Sequence, residues 1–192
     1  MNIVQIGACV GNDALTDYVN SQETITNLIL VEPMVIHNDK LKESYKDHKF
    51  VIENSAITPN SEVQEMSFYY HKEDGPNFEV ASVNKEHILK HVIYNPKLTE
   101  DGLVELRVPC LTINQLFEKH KLKTIDYLFI DAEGIDDQII LSIDFKKYDI
   151  HKIFFEAHHI DIHNLTMFLK YAGYTCEVAG PWGGDRLATK II

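Results

Sequence analysis

Basic residues are scarce in this chain. Its 192 residues hold 18 Lys and Arg against 29 Asp and Glu, a net charge of −11, and no Lys/Arg block. Such a surface has little to offer the phosphate backbone of DNA or RNA, so nucleic acid is not an expected partner. A nucleotide-sized ligand needs only local donors and stays open. Long apolar runs are also absent. None approaches the roughly 20 residues of a spanning helix, so no membrane span is expected. Cysteine is limited to Cys9, Cys110 and Cys176, odd in number and widely spaced among apolar neighbours. That pattern speaks against a disulfide framework and reads as reduced, buried thiols. No signal peptide is legible, because Met1 leads almost directly into an apolar strand; the expected location is cytoplasmic. Internal repeats and low-complexity tracts are missing, as is any Gly-x-Gly-x-x-Gly.

What remains is ordinary globular composition. Apolar residues make up 45% and charged residues 24%, enough for a substantial core in one domain spanning 1–192. The organising stretch is at the start, Asn2-Ile3-Val4-Gln5-Ile6-Gly7-Ala8-Cys9-Val10-Gly11-Asn12-Asp13. A short apolar strand over residues 3–6 runs into small residues, and a helix is expected after Asp13, with Ala14, Leu15, Tyr18 and Val19 on one face. Gly7 and Gly11 permit a sharp turn and close approach of a ligand to backbone. The first N–H groups of the helix point at that place. A second strand, 27–31, ends in Glu32-Pro33, and Glu32 follows Gly11 by 21 residues. An acidic residue at that point of a βαβ unit binds ribose hydroxyls, so this part reads as half of a nucleoside site. The plainer readings are that the glycines only make a tight turn and that Glu32 caps a helix.

Further along, residues 35–45 read as a helix with Val35, Ile36, Leu41 and Tyr45 inward, and a third strand starts at Phe50 and ends near Ser55-Ala56. The segment 58–107 breaks the alternation. An aromatic strand at 66–71, a turn at 73–77, a stretch at 78–83, a helix at 85–92 broken by Asn95-Pro96, and an alternating strand at 103–109 together read as an insertion or lid. Alternation then resumes. Thr112 caps a helix, strand 125–130 ends at Asp131-Ala132-Glu133-Gly134, and a helix follows over 136–143. Strand 152–155 ends at Glu156-Ala157-His158-His159, a helix covers 165–171, and paired strands at 174–178 and 187–192 close the chain around Trp182. The expected fold is α/β, a doubly wound Rossmann-like sheet, mostly parallel with an antiparallel final strand, plus a β-rich insertion.

Taken together, these stretches resemble the FkbM family of class I S-adenosylmethionine-dependent methyltransferases. The pieces are the Gln5–Asp13 turn, Val31-Glu32-Pro33, Asn54-Ser55-Ala56, Val108-Pro109-Cys110-Leu111-Thr112-Ile113-Asn114-Gln115-Leu116, Ile130-Asp131-Ala132-Glu133-Gly134 and Phe155-Glu156-Ala157-His158, in the family's order. Cys9 stands where the family usually has Asn, and Phe129 where it usually has Lys. The chain also starts at the first core strand, without the helical lead-in of many members, which would leave the substrate side open or built by a partner. The resemblance implies S-adenosyl-L-methionine as cofactor. It would be held by Gly7, Ala8, Gly11 and Asp13 at the turn, by Glu32 and Pro33 at the ribose, by Ser55 and Ala56 at the adenine, and by Asp131. It also implies O-methylation of a sugar, glycan or small natural product.

Asp131, Glu133, Glu156 and His158 are the expected catalytic group, at two adjacent strand ends. Glu133 or His158 would take the proton of an acceptor hydroxyl, and Asp131 would orient it. Against this, Asp131 can simply cap the next helix, and His158 can be a packed or surface histidine. The pairs His87/His91 and His159/His163 have metal-compatible spacing but lack a third ligand nearby in sequence, so no metal is expected. A homo-oligomer remains open. The rival readings are a nicotinamide-type oxidoreductase, disfavoured by the Gly7-x-x-x-Gly11 spacing, and a cofactor-binding module without turnover.

Overall fold

Strands flanked by helices on both faces are apolar on both sides, and the first two strands show it. β1 (Asn2–Ile6) and β2 (Asn27–Val31) each bury four of five residues. The structure, a computed structural model, describes residues 1–22, 24–72, 81–90, 96–132, 134–158, 160–179 and 184–191. Helix α1 (Ala14–Asn20) connects the two strands; a 3-10 turn (Val35–His37) and α2 (Asn38–Ser44) lead to β3 (Val51–Glu53). Next come β4 (Ala56–Ile57), β5 (Glu65–His71), α3 (Lys85–Lys90) and β6 (Leu103–Leu111). The last part is α4 (Ile113–Lys119), β7 (Thr124–Ile130), α5 (Asp136–Leu141), β8 (Asp149–Glu156), α6 (Ile162–Tyr171), β9 (Tyr174–Ala179) and β10 (Asp185–Lys190).

The main sheet has seven strands in the order β3-β2-β1-β7-β8-β10-β9. Its pairings are parallel except those of β10, which runs antiparallel to β8 and β9. The strand order reverses around β1, which lies between β2 and β7. That reversal opens a crevice at the carboxyl ends of the strands. One face of the sheet packs under α4, α5 and α6, through Leu116, Phe117, Ile139, Ile140, Leu165 and Leu169. The opposite face packs under α1 and α2, through Leu15, Val19, Leu41 and Tyr45. The segment after β3 builds a second sheet, β4-β6-β5, in which β4 is parallel and β5 antiparallel to β6. Ser82 bridges to Tyr69 beside it.

Local chemistry sets several boundaries as expected. Thr112 and Gln115 form a reciprocal capping box at α4, which satisfies two otherwise orphaned amides. Gly173, at φ 90°, ends α6. One expectation is corrected. Val35 and Ile36 are 61% and 58% exposed, while Met34, His37, Leu41 and Tyr45 are buried. The tighter 3-10 turn rotates the register, and Glu32 takes the Met34 amide at 2.8 Å with His37 beside it, so residues 34 and 37 turn inward. The turn at 73–77, residues 78–80, His91, Asn95, Glu133, His159 and Trp182 lie outside the described residues.

Candidate functional site

The turn after β1 is held from three sides. The Gly7 and Ala8 amides both donate to Val31 O at 3.0 Å. Gly7 has φ 78°, and a Cβ there would lie 1.9 Å from Asp131 O. Its missing side chain is therefore required by the end of β7, before any ligand is considered. Gly11, at φ 66°, makes room for α2: a Cβ would meet the Tyr45 ring at 2.9 Å and Ser44 at 3.0 Å. Of this turn, Gly7, Cys9, Asn12 and Asp13 reach the crevice, whereas Ala8 and Gly11 are not on its wall. Asp13 caps α1, accepting from Thr16 N at 2.9 Å, and also receives Gln5 Nε2 at 2.7 Å. The Tyr45 hydroxyl donates to Gln5 Oε1 at 3.0 Å, which ties α2 into the same buried network.

Glu32 is only 4% exposed, yet it lines the crevice. Its Oε2 accepts from Cys9 N at 2.8 Å and its Oε1 from Met34 N at 2.8 Å, and His37 Nδ1 lies 3.3 Å from Oε1. Each carboxylate oxygen offers two lone pairs, so these bonds leave acceptor capacity toward a ligand. Pro33, Met34 and His37 continue the wall. Ser55 and Ala56 follow; the Ser55 hydroxyl donates to Glu53 Oε1 at 3.1 Å. Burial alone would raise the Glu53 carboxyl, but hydrogen bonds from Lys119 at 2.8 Å and His120 at 3.2 Å outweigh it and hold it below the usual range.

The crevice is a cavity of about 310 Å³, within the size range of small-ligand sites. Its far side comes from the second sheet and its neighbour: Met66, Phe68, Ala81, Ser82 and Val83. These belong to the segment expected to cover the cleft. At the end of β7, Asp131 and Ala132 complete the wall, with the Asp131 amide bonded to Ile6 O at 3.0 Å. Just behind them lies Asp136, fully buried, its carboxyl oxygens 3.3 and 3.4 Å from Ala132 N. Burial, the Asp131 charge and, less strongly, Glu156 push its pKa up to about 7.

The expected catalytic group is thus only partly assembled on the wall. Asp131 is there, and Glu156 is close enough to act on Asp136. His158 is exposed and lies against Gly184, where a Cβ would come within 2.1 Å of its Nε2. Burial raises the nearby Asp185 carboxyl above its usual range, with His158 and Arg186 opposing it. Neither Glu156 nor His158 is on the cavity wall, and Glu133 lies outside the described residues. Asp131 does not cap α5; Ile135 holds the cap position without a side-chain bond. Among the described residues no His, Cys, Asp and Glu come together as a metal-binding group. Sequence reasoning passed over Asp136. Its signal was its spacing, five residues after Asp131 at a helix start, where an acidic residue ordinarily reads as solvated.

A mostly parallel sheet with its cavity at the strand reversal defines a Rossmann-like α/β domain. Residues 5–176 match the methyltransferase FkbM domain, and the chain belongs to that family. The fold is similar to the crystal structure of methyltransferase FkbM from Methylobacillus flagellatus KT. That likeness covers 98% of this chain and 43% of that one, at 12% identity and a TM-score of 0.54. The chain therefore spans less than half the length of that protein. No curated protein matches it.

Proposed function

We propose that this protein is an S-adenosyl-L-methionine-dependent O-methyltransferase acting on a hydroxyl of a sugar, a glycan or a small natural product. The observation that carries the reading is that one cavity joins Gly7 and Asp13, from the turn after β1, with Glu32, Ser55 and Asp131 from three other strand ends. The donor set fits the cofactor. Glu32 has acceptor capacity for ribose hydroxyls, and Asp131 is a carboxylate suited to an ammonium. Pro33, Met34 and Ile57 give apolar wall for a flat base. S-adenosyl-L-methionine, when bound, supplies an electrophilic methyl group. The protein's own part is to align the acceptor hydroxyl, exclude water and remove one proton. Phe68 and Val83 close the cavity on its second-sheet side. His158, two residues past Glu156 at the end of β8, is the proposed proton acceptor, with Glu133 as the alternative; imidazole is suited to that task.

In this reading the partner is a small-molecule or glycan acceptor rather than nucleic acid, and the place of action is the cytoplasm. Two findings are compatible with that location: the three cysteines are thiols, and among the described residues no helix is long and apolar enough to cross a membrane. Calorimetric titration with S-adenosylhomocysteine and with NAD separates the rivals. Binding of the first, with methyl transfer to a member of a hydroxyl-bearing panel, is expected. Binding of NAD alone would overturn the reading, and cofactor binding without transfer to any acceptor would reduce it to a binding module.

A further inference from the structure

We propose that Asp136 is a positioning residue: from inside the core its carboxyl holds the Ala132 amide and so fixes Asp131 and Ala132 on the cavity wall. The case begins with its cost. A carboxyl with no exposed surface is expensive to bury, and an apolar side chain of similar size would stabilise the fold at least as well. Helix capping does not explain it. Asp136 is the first residue of α5, not its cap, and Asp137, less buried, already places a charge in the first turn.

What Asp136 does touch is the backbone four residues earlier. Both its oxygens lie within 3.4 Å of Ala132 N. The neighbouring backbone is pinned as well: the Asp131 amide bonds to Ile6 O, and the Asp131 carbonyl occupies the space left by the missing Gly7 side chain. With the Ala132 amide held, the backbone at the end of β7 is fixed on each side of Asp131. The carboxylates facing Asp136 are Asp131 from the end of β7 and Glu156 from the end of β8, and their repulsion adds to its burial. A group kept there against two like charges is placed for the bond it makes.

The proposal rests on reading the cavity as the cofactor site, and the experiment separates the two. Amide hydrogen exchange at Ala132 is measured in the unliganded wild type, Asp136→Asn and Asp136→Ala, together with S-adenosylhomocysteine affinity by calorimetry. Asn keeps a carbonyl acceptor for the Ala132 amide. The expected result is a protected Ala132 amide in wild type and Asp136→Asn, and exchange at least about tenfold faster in Asp136→Ala. Affinity should fall about tenfold or more in Asp136→Ala and stay within about threefold in Asp136→Asn. If Asp136→Ala does not fold, Asp136→Leu, which fills the space without an acceptor, takes its place. Equal Ala132 protection with and without the acceptor overturns the proposal, and so does failure of Asn to restore affinity. A wild type that does not bind S-adenosylhomocysteine overturns the cofactor reading and leaves the exchange result to decide Asp136 by itself.

Discussion

Gly7 and Glu32 both do structural work that ligand-based reasoning would overlook. At Gly7 a Cβ would sit 1.9 Å from a backbone oxygen, and φ is 78°. A left-handed residue other than glycine costs about 1–2 kcal/mol before any clash is counted. Gly7→Ala should therefore lower stability by more than about 2 kcal/mol in denaturant unfolding. An alanine variant as stable as wild type would show that the end of β7 can yield. Glu32 accepts two backbone amides, from Cys9 and Met34. Truncating it leaves both donors short of a partner in a buried place. Glu32→Ala should thus destabilise the fold by about 1–3 kcal/mol in addition to weakening any ligand, while Glu32→Gln, which retains one acceptor oxygen, should lose less. Equal melting temperatures for wild type and Glu32→Ala would mean that water replaces the carboxylate.

Among the elements, α5 carries a buried carboxyl raised far above its ordinary range. Asp136 has its pKa raised from 3.8 to about 7 by burial first and Asp131 next. The folded state therefore binds this proton more tightly than the unfolded chain. Its favourable contribution is complete below pH 4 and is lost as pH rises toward 7, at about 1.4 kcal/mol per unit, or at most about 4 kcal/mol. The stability of Asp136→Asn relative to wild type should climb over that window and level off above it, as read from urea unfolding at a series of pH values. A difference that does not change with pH would place the Asp136 pKa near its ordinary value. Glu53, at the end of β3, has the opposite sign. Its carboxyl is held down by Lys119 and His120, so its contribution is present at neutral pH and lost on acidification.

The elements were largely legible in the sequence because strands covered on both faces leave continuous apolar runs, and because Thr112 and Gly173 mark helix ends with their own chemistry. Residues 35–37 misled because 3-10 and α-helical spacing put different side chains inward, and composition cannot separate them. Asp136 was missed because burial of a carboxyl depends on what packs over it from β7 and β8. The strand ends that line the cavity followed from their order, whereas the inward role of Gly11 against Tyr45 needed α2 in place.

For the molecule as a whole, the cavity has walls from two sheets. Gly7, Glu32 and Asp131 belong to the carboxyl edge of the main sheet, and Met66 and Phe68 to β5 of the second. The two sheets are joined through chain continuity at β3–β4 and at β6–α4, but the cavity is where their side chains face one another across a space. A ligand filling it gains contacts on both sides, and its binding energy is distributed over both. Saturating S-adenosylhomocysteine at about 100 times its Kd should stabilise the fold by about 2.7 kcal/mol. Hydrogen exchange should show where that stability appears: slower exchange at residues 7–13 and 131–132, and also at 65–71 and 81–83. Phe68→Ala should weaken binding while leaving the exchange of β1 and β2 unchanged, because Phe68 packs in the second sheet's own small core with Ala56, Val108 and Cys110. If ligand protection stops at the main sheet, or Phe68→Ala binds as well as wild type, the second sheet does not cover the bound ligand, and the acceptor must be sought on the open side near His158.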